Sequence, residues 1–504
     1  MNGGLLRLLR QSGVYALAGV AVKLGGLLLA PLYLDTALLS QESYGHLVLL
    51  EVTAQVGIQI AGLGLGSGLL RFMADPAYRE IQRALPFTAL IASGLAATVV
   101  GGMFWLSAPA LTPLLLRPDS PPELLQLLGV YVGFKVVGMV PFSLLRSQER
   151  AGLYTVAAAA EIAALVGGVY YFLGVEQLGL VGVIQAYALS AFASAAVLIG
   201  AMLMRVRWQL APRLIGRLAQ YGAPLALGGL ASLFLNVGDR YLLDWLMDAE
   251  TVAVYGWAAR LGGVLNVLLV QSLQLAFLVV GLKVLYRADG TLGDGRFHLR
   301  VFRHYAAFAG FAALGLGLFT YDLTRWLSSD ASYLGADVLV LPIALGFLAY
   351  GLYFIIVNVL YAVEETKRVS VGVVGAAVGN ALLNILLIPL LGALGAALAT
   401  VLSFLGLAFY ADLTARRYVP IRYPWHVPAV ASLLAVGLWV LAQPSLAWSV
   451  PVRLVWRVGL LGVYAGGLVL SGVYRGHELR VGWDYIRRLG RKLEHEEEHT
   501  QEAD

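Results

Sequence analysis

The chain has 504 residues, 59% of them apolar and 13% charged, with a formal net charge of +5. The charged share is about half of the roughly 25% usual in soluble domains, and long apolar runs recur from residue 13 to residue 474. A polytopic membrane protein is expected, and the absence of Cys excludes disulfides, iron–sulfur ligation, thiolate zinc sites and Cys nucleophiles.

About 20 apolar residues cross the hydrocarbon core as a helix. That rule predicts 14 spans, roughly 13–34, 47–70, 86–107, 124–145, 153–173, 180–204, 221–243, 252–280, 301–322, 337–360, 369–390, 395–415, 426–443 and 454–474. The fold class is all-α, because the runs are continuously apolar rather than alternating as in a barrel. Ala16-Leu17-Ala18 resembles a signal-peptidase site but follows Arg10-Gln11-Ser12 too closely, so Gly13–Leu34 reads as the first span. Pro428 interrupts the short thirteenth run and makes it the weakest. The longest loop, Lys283–Arg300, is too small to fold alone. In the tail, Leu479, Trp483, Ile486, Leu489 and Leu493 fall at helical spacing among basic residues, which predicts an interfacial amphipathic helix. The acidic run Glu494–Asp504 after it is expected to be disordered.

Orientation follows from Lys and Arg. Of 35 such residues, 27 fall in the N-terminal segment, the loops on its side and the tail. Only Arg117, Arg325 and Arg453 fall in the opposite loops. Both termini are therefore expected in the cytoplasm, and the basic balance reflects topology rather than nucleic-acid binding.

An internal repeat is visible. Gln41-Glu42-Ser43-Tyr44-Gly45 opens span 2, and Ala249-Glu250-Thr251 with Tyr255-Gly256 opens span 8. Span 4 ends in Arg146–Arg150 and span 10 in Glu364–Arg368. Spans 1–6 (residues 1–215) and 7–12 (216–420) thus read as two six-helix lobes in one orientation. Spans 13 and 14 (421–475) and the tail (476–504) follow.

Three stretches carry a family resemblance: Ser12–Leu34 with Ser40–Gly45 and Gly66–Arg71; Gly238–Leu243 with Ala249–Arg260; and Asn380–Ser403 with Asn384, Ile388-Pro389, Gly392 and Gly395–Thr400. In these the chain resembles the polysaccharide-transport flippases of the multidrug/oligosaccharidyl-lipid/polysaccharide exporter superfamily. The resemblance implies a central cavity lined by spans 1, 2, 7 and 8, in a bacterial inner-membrane protein. It implies transfer of undecaprenyl-diphosphate-linked sugar units to the periplasmic leaflet, with H⁺ or Na⁺ as coupling ion and no other cofactor. The bilayer, and a polysaccharide polymerase or glycosyltransferases, are the implied partners.

Charges at membrane depth need a partner or a wet cavity, each costing roughly 2.5–3.5 kcal/mol on insertion scales. Lys23 lies in span 1, and Glu51, Gln55 and Gln59 stack at steps of four in span 2. Asn236, Asp239 and Arg240 cluster in span 7; Arg260 in span 8 sits 11 and 14 residues before Gln271 and Gln274, close to whole turns of one face. Lys135 and Glu161 lie on the adjacent spans 4 and 5. The functional reading is a cationic cavity in which Lys23, Lys135, Arg240 and Arg260 meet a diphosphate. Glu51, Asp239 and Glu161 would balance those charges or exchange a proton, and the Gln and Asn residues would line the walls. The alternative is structural pairing, Asp239 with Arg240 and Glu161 with Lys135. Asn380 and Asn384, one turn apart, suit bonding across helices or cavity lining. Tyr15, Tyr131, Tyr350 and Tyr353 offer faces for sugars.

His495-Glu-Glu-Glu-His499 matches a zincin motif but sits in a charged tail, so no metal site is expected. Gly62–Gly68 lacks the Lys and Ser/Thr of a phosphate loop and suits close helix packing. No catalytic residue emerges, and a transporter rather than an enzyme is expected. The rivals are a multidrug/cation antiporter, which would need acidic cavity walls, a membrane-embedded glycosyltransferase or polymerase, and a non-transporting partner of a polysaccharide synthase.

Overall fold

The computed structural model describes residues 26–148, 150–285, 293, 295–328 and 330–473. Most of the first predicted span, Lys23 within it, and the tail beyond residue 473 lie outside the described residues. Helices form where the apolar runs predict them. They are α1 (Gln41–Gly62), α2 (Leu65–Ala74), α3 (Leu85–Leu115), α4 (Glu123–Ser147), α5 (Ala151–Val169) and α6 (Gly179–Leu203). Next come α7 (Arg213–Val237), α8 (Asp239–Leu246), α9 (Ala249–Leu265), α10 (Ser272–Leu285) and α11 (Arg296–Leu327). The last are α12 (Asp337–Ala362), α13 (Thr366–Leu391), α14 (Ala393–Ala415), α15 (His426–Ala442) and α16 (Val450–Leu470). Among the described residues there is no strand. Twelve helices there are long and apolar enough to cross a membrane, and α1 with α2, bent by 44°, make a thirteenth if counted as one span.

Pro428 does not weaken α15. It stands in the first turn, where its missing N–H would have no helical partner. The α1–α2 bend falls at Leu63 and Gly64, both left-handed. A Cβ on Gly64 would meet the carbonyl oxygen of Gly222 in α7 at 2.3 Å, so the glycine run serves close packing.

The two halves of the sequence repeat meet each other. Ser40 caps α1 by accepting from the Ser43 N–H, and Asp248 caps α9 by accepting from the Thr251 N–H. Gly45 of α1 presses on the backbone of Ala249, and Gly256 of α9 receives Val48 of α1. Gln41 Nε2 also donates to the Glu250 carbonyl at 3.3 Å. Helix α1 thus packs on α9 at the end away from the basic loops, and α2 packs on α7 toward the basic end.

Candidate functional site

Between those two contacts, α1 and α9 carry Glu51 and Arg260 at matching depths. Each lies ten or eleven residues from its capped end, about 15 Å along the axis at 1.5 Å per residue. Arg260 Nη2 donates to Glu51 Oε1 at 2.7 Å, and the Tyr187 hydroxyl of α6 donates to the same oxygen at 2.5 Å. The guanidinium lies 5.4 Å from the Tyr33 ring and 5.7 Å from the Tyr44 ring, both buried. A cation faced by two π surfaces and one carboxylate is stabilised without full dehydration. The side chains keep 17% (Arg260) and 26% (Glu51) of their exposure.

Tyr187 packs on Tyr131 with ring centroids 5.7 Å apart, and Lys135 Nζ sits 5.8 Å from the Tyr131 ring. Lys135 in turn is ion-paired with Glu161. One chain of side chains therefore runs Arg260–Glu51–Tyr187–Tyr131–Lys135–Glu161 through α9, α1, α6, α4 and α5.

Asp239 and Arg240 form a separate cluster at the start of α8. Arg240 Nη1 donates to Asp239 Oδ1 at 3.0 Å and to the Asn236 carbonyl at 3.2 Å, and its guanidinium lies 5.8 Å from the Tyr255 ring. Asp239 Oδ2 accepts from the Tyr255 hydroxyl and, at 3.4 Å, from Thr400 of α14. Asn236 donates its amide to the Ser232 carbonyl at 2.8 Å.

The predicted polar walls are divided among different neighbours. Gln55 is exposed, while Gln59 donates to the Ala226 carbonyl of α7 at 3.1 Å. The expectation that Gln274 shares Arg260's face does not hold. A π-helical turn over Asn266–Gln271 separates α9 from α10. An unbroken helix would return Gln274 to within about 40° of Arg260, but the residue inserted by a π-bulge slips the phase by about another 100°. Gln274 accordingly lines a cavity against α12, and Gln271 closes the π turn. Asn384 donates to the carbonyl and the Oδ1 of Asn380 at 2.8 and 2.9 Å, so these hydrogen bonds stay within α13 instead of crossing to another helix. Arg71 pairs with Asp75 at 3.0 Å near the basic end. No cluster of metal-ligating side chains occurs among the described residues.

A further ion cluster, buried within the helical bundle, has no counterpart among the candidate residues read from the sequence. Asp322 of α11 bridges Arg453 and Arg457 of α16, and Asp337 of α12 accepts from Gln443 and faces Arg457. Its sequence signal is Arg457 four residues after Arg453, one helical turn, which places both on one face.

The profile of the polysaccharide biosynthesis protein family matches residues 8–278, just over half of the chain. The chain belongs to this family. The matched stretch contains Glu51, Arg260, Lys135, Glu161, Asp239 and Arg240. Solved structures share the fold. The lipid II flippase MurJ in its inward closed conformation aligns with TM-score 0.72 and 12% identity, over 91% of this chain and 99% of that one. The Vibrio cholerae MATE transporter VcmN aligns with TM-score 0.58 and 15% identity, over 82% and 96%. A MOP superfamily transporter from Pyrococcus furiosus, described by the reverse polarity of its binding pocket, aligns with TM-score 0.53 and 14% identity, over 82% and 95%. No curated protein matches the chain in sequence. This polysaccharide biosynthesis protein is thus an all-helical, multi-pass membrane protein with a fold common to flippases and transporters.

Proposed function

We propose that the protein flips undecaprenyl-diphosphate-linked sugar units from the cytoplasmic to the periplasmic leaflet of the bacterial inner membrane, by alternating access. Residues 1–215 and 216–420 act as two six-helix lobes, residues 421–475 add two spans, and both termini lie in the cytoplasm. The role is transport rather than catalysis, in line with the flippase and transporters that share the fold. The observation that carries the reading is the partly accessible Arg260, about 15 Å in from the capped end of α9 and held by Glu51 and two aromatic faces. A guanidinium fork is the side chain best shaped to take a diphosphate. In this reading the diphosphate displaces Glu51, and the released carboxylate takes up H⁺ or Na⁺, coupling transport to an ion gradient. Lys23, Lys135 and Arg240 add positive potential, while Asp239 and Glu161 balance charge in the substrate-free state. A polysaccharide polymerase or glycosyltransferases would supply or consume the substrate.

The MATE structures of the same fold favour one second reading, an antiporter of organic cations. Thermal stabilisation of the purified protein separates the two. The flippase reading expects undecaprenyl diphosphate to raise the Tm of the wild type and to lose that effect in Arg260→Ala. Stabilisation by a hydrophobic organic cation alone would sink that reading in favour of the antiporter.

A further inference from the structure

Between the Arg260 site and the basic loops, α1 and α2 close on α7. Gln59 marks the seam, eight residues beyond Glu51 on α1 and about 12 Å nearer those loops. The contact is made backbone to backbone. A Cβ on Gly222 of α7 would run into the carbonyl oxygen of Leu63 and the backbone of Gly64. Gln59 Nε2 adds a hydrogen bond across the seam, to the Ala226 carbonyl at 3.1 Å, and the Phe72 and Tyr221 rings meet with centroids 5.9 Å apart. Among the described residues no ion pair crosses it, whereas the Arg260–Glu51 pair fastens α9 to α1 farther from the loops.

The chain reaches this contact through a strained joint. Leu63 links α1 to α2 at φ 42°, a left-handed conformation in which the Cβ of an L-residue crowds its own backbone. Its side chain is 40% exposed, so side-chain packing does not hold it there. The seam does, because the left-handed turn sets the Leu63 carbonyl against Gly222. Beyond the joint, Gln82 Nε2 donates to the carbonyls of Phe72, Met73 and Asp75, each at 3.1 Å, and ties the end of α2 to the loop that follows. A change in the 44° bend therefore falls on Leu63 and Gly64. Toward α4, Gly66 of α2 rests against the flexible side chain of Met139, a contact that tolerates a small rotation. Straightening the joint returns Leu63 to right-handed helix and takes α2 off α7. Relief of the joint and closure of the seam exclude each other, which gives the segment two competing states.

We propose that the α1–α2 joint is the gate between the Arg260 site and the side of the basic loops: α2 swings off α7 about Leu63 and Gly64 while Gly45 and Gly256 stay seated at the far end. The strain at Leu63 favours the open state, and the Gly222 contact with the Gln59 hydrogen bond favours the closed one. The motion stands on the joint alone; that a diphosphate lipid passes the gate rests on the flippase reading of the Arg260 site.

The chain has no Cys, so Gln55→Cys, at an exposed position between Glu51 and Gln59, supplies a single thiol on the site side of the seam. Inside-out membrane vesicles with an impermeant maleimide outside measure its labelling rate from the side of the basic loops, with no substrate present. In that background Gly222→Ala, which puts a methyl group on the Leu63 carbonyl, is expected to speed labelling about tenfold. Leu63→Gly is expected to slow it about tenfold, because glycine takes the left-handed turn freely and weakens the straightened helix. Gln59→Leu removes only the hydrogen bond across the seam, should speed labelling about threefold, and repeats the test should Gly222→Ala not fold. Equal rates with and without Leu63→Gly overturn the proposal, as does a folded Gly222→Ala protein that labels no faster. Undecaprenyl diphosphate plays no part in these rates, so its failure to bind removes the flippase reading and leaves the gate standing.

Discussion

Two of the ion clusters within the helical bundle handle burial differently. Arg453 and Arg457 are each 2% exposed and share one carboxylate, Asp322, with Asp337 nearby. Arg453 also donates to the Leu446 and Trp448 carbonyls at 3.0 and 3.4 Å. These charges are tied to α11, α12 and α16 at once, so any exchange of partner would strand a dehydrated cation. Arg260 keeps 17% of its exposure, has one carboxylate partner, and gets the rest of its stabilisation from tyrosine faces that need no counter-charge. In the proposed mechanism an incoming anion replaces Glu51 there without breaking the shell around the guanidinium. The difference teaches that burial and partner number, more than charge at membrane depth, separate a structural clamp from an exchangeable site.

The clamp gives the largest expected effect. Asp322→Ala leaves two buried guanidinium groups short of their shared partner and should cost about 3–5 kcal/mol, the penalty for breaking a buried pair from one side. Denaturant or thermal unfolding in detergent measures it. Glu51→Ala should cost clearly less, and equal losses at the two positions would collapse the comparison.

Glu51→Gln comes next. Removing the competing carboxylate should tighten binding of undecaprenyl diphosphate about tenfold, equivalent to about 1.4 kcal/mol. Ion-driven transport should fall, since the released carboxylate is gone. Unchanged affinity in a direct titration would show that Glu51 does not compete for Arg260.

The helices were readable because a span needs about 20 apolar residues whatever it packs against. The facing of the two repeats was half-readable: the Tyr44-Gly45 and Tyr255-Gly256 pairs marked the repeat, and the structure presses Gly45 on Ala249 and Gly256 on Val48. Charges on the adjacent spans 4 and 5, and consecutive charges within span 7, allowed the Lys135–Glu161 and Asp239–Arg240 pairs to be expected as structural partners. The Glu51–Arg260 pair spans 209 residues, and spacing within one helix carries no trace of it. The tyrosine cage was hidden for the same reason, since Tyr33, Tyr44 and Tyr187 come from three separate segments. Gln274 was misplaced because a π turn has no reliable composition signal, and one inserted residue redirects everything after it. In the sequence Arg453 reads as a loop charge; only the fold brings it to Asp322.

Tyr187→Phe gives the smallest effect and the most pointed one, because its sign is opposite to that of Glu51→Gln. The ring and its packing on Tyr131 remain, and only the hydroxyl that donates to Glu51 at 2.5 Å is lost. The stability cost should be about 1 kcal/mol, the low end for a hydrogen bond that a charged group can partly replace with water. Without that donor, Glu51 depends more on Arg260 and holds it more firmly. Undecaprenyl diphosphate should therefore bind a few-fold more weakly in Tyr187→Phe, whereas it binds more tightly in Glu51→Gln. The double variant should follow Glu51→Gln, since the hydroxyl acts on Arg260 only through the carboxylate. Additive changes in a double-mutant cycle would mean that Tyr187 and Glu51 act on the anion independently, and the exchange picture of the site would fail.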